Sequence, residues 1–238
     1  MGQSSFSPDA SRRFLGLMVP VLVLVHAAAG AASELRGAGW REDFGREPVG
    51  WEIRTTPGVK PTRFRVERAD GDDGRLVVEA DDASAIYATH LKGVDLRRTP
   101  ILRWRWRVRA LPAGADGRVP ERDDQAIAIY VSQGGLLRQR SVAYRWETET
   151  PVGVEGWATY GAGLVKAKWI AVRNQGDAAG EEFVIEERNI AADFKAAFGF
   201  IPDDPTISVS SNSQYTGTRG VAELDWIELV PAPDPAPE

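Results

Sequence analysis

The segment Ile101-Leu-Arg-Trp-Arg-Trp-Arg-Val-Arg109 alternates without a break, with Leu102, Trp104, Trp106 and Val108 interleaved by Arg103, Arg105, Arg107 and Arg109. Successive side chains of a β-strand point to opposite faces, so as a strand this segment has one wholly apolar face and one wholly cationic face. A helix would scatter both sets around its axis. The chain therefore contains a sheet with one packed and one polar face, the pattern of antiparallel sheets. Arginines side by side on a strand repel unless acids from a neighbouring strand interleave. Asp123 and Asp124 directly precede the next strand pattern and are the expected suppliers.

Much of the remaining chain reads as short strands between turn residues. Trp40 to Phe44 and Trp51 to Thr55 flank Pro48 and Gly50; Thr62 to Val66 and Arg75 to Ala80 form a hairpin around an Asp/Gly-rich turn. Further strands are expected at Ile86 to Leu91, Ile101 to Arg109, Gln125 to Ser132, Val142 to Trp146, Leu164 to Val172, Thr206 to Asn212 and Gly220 to Val230. One helix interrupts them: Ile190, Phe194 and Phe198 recur every four residues, with Asn189 as N-cap and Gly199 just past the end. About ten evenly spaced strands and one short helix predict an all-β fold, an antiparallel β-sandwich of jelly-roll type.

The first residues do not belong to that fold. Arg12 and Arg13 precede an apolar run, Phe14 to Val25, which is short for a membrane span and is followed by small residues from Ala27 to Ser33. Residues 1–32 read as a secretory signal cleaved after Ala32, of the general or the twin-arginine type; the alternative is an uncleaved anchor extended through His26 and the alanines. A periplasmic or secreted address follows, with no membrane attachment after cleavage. Residues 33–230 form one sandwich domain, and 231–238, where Pro alternates with small or acidic residues, an extended disordered tail. The chain has no Cys, which removes disulfides, thiolate catalysis and sulfur-ligated metals. Removing Asp9, Arg12 and Arg13 with the signal leaves 27 Lys and Arg against 33 Asp and Glu, a balance that speaks against a nucleic-acid partner.

Several motifs together resemble a bacterial family known as domain of unknown function 3047. They are Thr62-Arg-Phe-Arg-Val66, the Pro100–Val108 strand, Arg122-Asp-Asp-Gln-Ala-Ile-Ala-Ile-Tyr-Val131, Tyr144-Arg-Trp146, Val172-Arg-Asn174, Glu187-Arg-Asn189 and Asp193-Phe-Lys-Ala-Ala-Phe-Gly199. The resemblance covers nearly all of the chain after the signal. It implies a secreted or periplasmic sandwich domain and brings no activity with it. The chain departs from the family pattern at Ser210–Gly217, where relatives carry an acidic turn, which puts any cation bound there in question. Val221–Leu229 also looks like the last strand of many jelly-roll carbohydrate-binding modules.

The chemistry-bearing residues are sparse. Beyond the signal His90 is the single histidine, and no Gly-x-Ser-x-Gly elbow occurs. Glu147 and Glu149, two apart on a strand and hence on one face, offer a carboxylate pair of the kind sandwich glycosidases use. The face of Arg103, Arg105 and Arg107 could hold an anionic polymer through guanidinium forks. Trp157 and Tyr160, in the Gly-containing segment 153–163, could stack on sugar rings. Asp123 and Asp124, and the Asp70–Asp73 turn, offer oxygen ligands for Ca²⁺, though without EF-hand spacing; no other cofactor is expected. The leading expectation is a non-catalytic module binding a glycan or other extracytoplasmic ligand. The alternatives are a sandwich-fold glycoside hydrolase using Glu147 and Glu149, and an envelope scaffold with a protein partner.

Overall fold

The structure is a computed structural model and describes residues 39–68, 73–135, 138–160, 163–177 and 182–233, with the backbone alone at 160. The expected signal peptide, Asp70 and Asp72 of the acidic turn, and residues 234–238 of the tail lie outside the described residues. Besides two short 3₁₀ turns at Pro120–Arg122 and Gln175–Asp177, thirteen strands and one α-helix are described. They are β1 (Trp40–Glu42), β2 (Trp51–Thr55), β3 (Arg63–Arg68), β4 (Gly74–Asp81), β5 (Ser84–His90), β6 (Ile101–Ala110), β7 (Gln125–Gln133), β8 (Arg140–Trp146), β9 (Glu155–Tyr160), β10 (Val165–Arg173), β11 (Val184–Asn189), α1 (Ile190–Phe198), β12 (Thr206–Asn212) and β13 (Arg219–Val230).

The strands form two sheets, as the alternation predicts. One runs β11-β6-β13-β4-β3, with β1 also on β13; the other runs β2-β5-β12-β7-β8-β10-β9. All pairings are antiparallel except β8 with β10. That exception has a topological cause. After β8 the chain passes over one strand position, forms the edge strand β9, and turns back so that β10 fills the gap. Two strands escaped the sequence reading, β9 and β11. The Gly-containing segment 153–163, where no strand is expected from the sequence, contains β9.

The apolar face of β6 builds the core: Leu102, Trp104, Trp106 and Val108 are all fully buried. Across the sandwich Trp104 stacks on Tyr144 with centroids 5.3 Å apart, and Trp106 meets Trp146 at 5.4 Å. Offset and tilted ring pairs of this kind add about 0.5–1.5 kcal/mol each beyond their buried area. Helix α1 starts and stops where its end residues dictate. Asn189 Oδ1 accepts from Ala192 N at 2.9 Å, and Gly199 adopts a left-handed φ of 80° that closes the helix.

The cationic face of β6 is fully interleaved with acids, but Asp123 and Asp124 do not supply them. The partners come from β13 and β11, which flank β6 in the sheet. Arg105 pairs with Asp225 at 2.7 Å, Arg107 and Arg109 with Glu223 at 2.6 and 3.0 Å, and Arg103 with both Glu187 and Glu228 at 3.3 Å. Arg75 adds a third cation to Glu223. Burial alone would raise the Glu223 pKa, yet the bonds from Arg107 and Arg109 hold it below the ordinary carboxylate range. Phe183 lies under Arg105 and Arg107, and Trp226 under Arg41 and Arg103, so the guanidinium planes also cover aromatic rings. This face is a charge-matched outer layer.

Glu223 is nearly buried, whereas the Glu187 side chain is 59% exposed. Glu223→Ala is expected to cost about 3 kcal/mol because it leaves enclosed guanidinium groups uncompensated. Glu187→Ala is expected to cost less than about 1 kcal/mol. Urea denaturation of the two variants checks the contrast, and equal losses would contradict it.

Candidate functional site

The outward face of the seven-stranded sheet has an unusual floor. Gly156, Trp169, Ala143, Tyr130, Ser208, Ala88 and Glu52 stand opposite one another in a row crossing every strand. A second row carries Ala158, Ala167, Ser141, Ser132, Thr206 and His90. A third carries Ala171, Arg145, Ala128, Ser210, Ile86 and Arg54. Most of the Ala and Ser side chains are buried although they point away from the core. Small side chains on an outward face make a trough between the larger side chains and loops that flank it.

Cavities lie at both ends of the trough. One, of about 550 Å³, is lined by Gly117, Arg118, Pro120, Asp123, Glu155, Gly156, Trp157, Ala158, Thr159, Trp169 and Tyr215. The other, of about 220 Å³, includes Arg54, Ile86, Ser132, Gln139, Thr206 and Ser208. The larger one is a cleft between the edge strand β9, its neighbour β10, the 111–124 loop and the 213–218 turn. Gly156 is required beside it, because a Cβ at this position would overlap the Trp169 ring. Tyr215 is 50% exposed.

Beneath the cleft lies a buried charge cluster. Arg145 stacks its guanidinium over Trp169 at 5.0 Å and donates to Asp123 at 2.6 Å and to Glu147 at 3.4 Å. Glu147 also accepts from Thr150 Oγ1 at 3.1 Å. Burial pushes its carboxyl above the ordinary range, against the opposing pull of Arg145. Gly117 passes over this carboxylate, at a distance where any Cβ would be tight. Asp116 takes both nitrogens of the Arg118 fork, at 2.8 and 2.7 Å. The bond from Arg118 is the largest influence on its carboxyl and, against burial, holds it at about 2. Asp124 is wholly buried and accepts from the backbone of Tyr215 and Thr216 and from the Thr216 hydroxyl, at 3.2, 2.7 and 2.8 Å. It thereby ties the 213–218 turn to the start of β7.

The sequence-predicted residues distribute unevenly over this site. Glu147 and Glu149 do not share a strand face, because β8 ends at Trp146 where the chain leaves the sheet to skip a strand position. Glu147 is sealed inside, and Glu149 faces Arg122 at 3.5 Å on the surface. Trp157 is 52% exposed and lies on the edge strand. The side chain of Tyr160 lies outside the described residues. Arg103, Arg105 and Arg107 belong to the other sheet. Asp123 and Asp124 are engaged by Arg145 and by the 213–218 turn, and among the described residues no group of three His, Asp or Glu is close enough to hold a metal. Tyr215 and Trp169 were missed as site residues. The alternation of Ala126, Ala128 and Tyr130 with Ile127, Ile129 and Val131 was the available signal, since it places small residues outward.

The model of a family described as protein of unknown function DUF3047 matches residues 49–228. The chain belongs to this family. No curated protein matches it in sequence. Among solved structures the fold is similar to the family 11 carbohydrate-binding module of the cellulosomal cellulase Lic26A-Cel5E of Clostridium thermocellum. Identity is 10%, 84% of this chain and 98% of that one are covered, and the TM-score is 0.45. A prokaryotic β-1,3-1,4-glucanase derived from a mouse hindgut metagenome is similar at 14% identity, over 82% of this chain and 100% of that one, with a TM-score of 0.40. The CBM22-1 xylan-binding domain from Paenibacillus barcinonensis Xyn10C follows at 14% identity, 82% and 98% coverage and a TM-score of 0.36.

Two outcomes follow from the charge cluster. Arg145→Ala is expected to cost about 3–5 kcal/mol at neutral pH, because Glu147 is then buried without its cation. The cost should shrink as pH falls toward the ordinary carboxylate value of 4.5, because Glu147, raised above that value by burial, takes up its proton before 4.5 is reached. Asp116, held at about 2 against an ordinary 3.8, contributes stability that is present above pH 3.8 and lost as pH falls toward 2. The stability difference between the native chain and Asp116→Asn should therefore narrow over that interval. Denaturant titrations across pH read both effects.

Proposed function

We propose that this chain is an exported, non-catalytic glycan-binding module whose ligand lies across the seven-stranded sheet, in the trough that ends at the Trp169–Tyr215 cleft. The observation that carries this reading is the cleft itself: aromatic rings beside a floor of small residues, with Asp123, Glu155 and Arg118 at its rim. Sugar rings present C–H faces that pack on aromatic rings and hydroxyls that need donors and acceptors, and this lining offers both. The trough runs perpendicular to the strands and past both cavities, which suits a polymer better than a compact metabolite. Among the described residues no helix is long and apolar enough to cross a membrane. The export itself rests on the amino-terminal sequence, with its Arg pair, apolar run and small residues.

The non-catalytic part of the reading rests on how the carboxylates are held. Asp123 is bound to Arg145, Glu155 to Lys168 at 2.5 Å and Asp116 to Arg118, while Glu147 has no exposed surface. General acid–base work at a glycosidic bond needs a carboxyl within hydrogen-bonding reach of the substrate.

The test is a thermal-shift screen of the purified protein against neutral and acidic glycans. A ligand at a hundred times its dissociation constant adds about 2.7 kcal/mol of stability, a shift of several degrees. Tyr215→Ala is expected to weaken binding about five- to tenfold, or about 1–1.4 kcal/mol, without unfolding the chain. Ser208→Leu is expected to block the trough, since it adds bulk to the floor and not to the core. A rise with no glycan in the panel overturns the reading and favours a protein partner.

A further inference from the structure

On the other face of β8, β10 and β9 a further cleft, of about 400 Å³, is lined by Arg140, Trp157, Thr159, Lys166, Ala197 and Phe198. Its geometry follows from register. Arg140 and Lys166 are direct neighbours on β8 and β10, and Thr159 of β9 stands opposite Lys166. Trp157 forms one wall, edge-on to Phe198 of α1 with centroids 5.5 Å apart. Like charges directly opposite one another on neighbouring strands are destabilising. On the other sheet the chain answers this problem with Glu223, Asp225 and Glu228. Here it supplies no acid: among the described residues neither Arg140 nor Lys166 has a carboxylate partner. Arg140 is instead fixed by donating to the carbonyls of Gln139 and Leu164, both at 2.9 Å. Lys168, one step along β10, is neutralised by Glu155, so the surplus charge is confined to the one pair.

We infer that this cleft binds the anionic group of an acidic glycan, with the sugar ring against Trp157 and its carboxylate or sulfate between Arg140 and Lys166. A guanidinium fork beside an ammonium matches either oxyanion. Trp157 and Thr159 line both this cleft and the Trp169–Tyr215 cleft, so a chain leaving the trough over β9 reaches the cation pair directly. The inference rests on the glycan-binding reading and narrows it to charged polymers.

The experiment is calorimetric titration of the full chain with four probes: an oligogalacturonate, its methyl ester, a sulfated galactan oligosaccharide and its desulfated counterpart. At least one charged form should bind ten times or more tightly than its neutral partner, with an advantage that shrinks as salt rises. Whichever form gains identifies the anion. In Arg140→Gln/Lys166→Gln, and in part in Lys166→Gln alone, the advantage should disappear while affinity for the neutral forms stays unchanged. Neutral forms that bind as well as charged ones, or a charge advantage that survives in the double variant, would overturn the inference and leave glycan binding standing. No binding by any probe would overturn both.

Discussion

The contact between Trp104 and Trp106 on β6 and Tyr144 and Trp146 on β8 sets the spacing of the whole sandwich. Four large aromatic residues meet between the sheets, and every strand must pack around a layer of that thickness. Because the tryptophans alternate with arginines, the same strand also dictates the outer surface of its sheet. Turning β6 over would bury four guanidinium groups, so the register admits no slip of one residue. The acids of β13 are placed where that constraint puts the arginines.

The two sheets answer the question of an outward face in opposite ways. On the sheet that holds β6, long charged side chains, paired with acids, lie over aromatic rings. On the other, Ala and Ser predominate between a few larger uncharged side chains, among them Tyr130 and Trp169. Arg145 is the exception that makes the second arrangement workable. Its charge, enclosed by Asp123, Glu147 and the Trp169 ring, anchors the 111–124 loop against the strands and gives the cleft a rigid base.

What the sequence revealed of this fold was whatever depends on near neighbours. The alternation of β6 and β7, the 62–80 hairpin and both ends of α1 were readable because two-residue and four-residue periods and capping residues are local signals. The edge strand β9 was hidden by Gly156, which reads as a loop residue and is there because the Trp169 ring takes the space of its side chain. The alignment of Glu147 with Glu149 failed because nothing local announces that a chain will skip a strand position. The partners of the arginine face were misassigned for the same reason: Asp123 and Asp124 are near in sequence, while Asp225 lies 120 residues from Arg105. The candidate site depends on which strands become neighbours, and only its outward small residues on β7 left a trace.

The position of β13 has a consequence for the time course of folding. It is the last of the described strands, yet it lies between β6 and β4, and β1 also attaches to it, with Arg41 bonded to Glu228 across 187 residues. Every nascent chain shorter than about two hundred residues therefore lacks the keystone of one sheet, and its aromatic layer has only one wall. Closure of such distant contacts is slow, since loop entropy must be overcome before any contact rewards it. The sheet of β6 and the core beneath it are therefore completed only after β13 has been made.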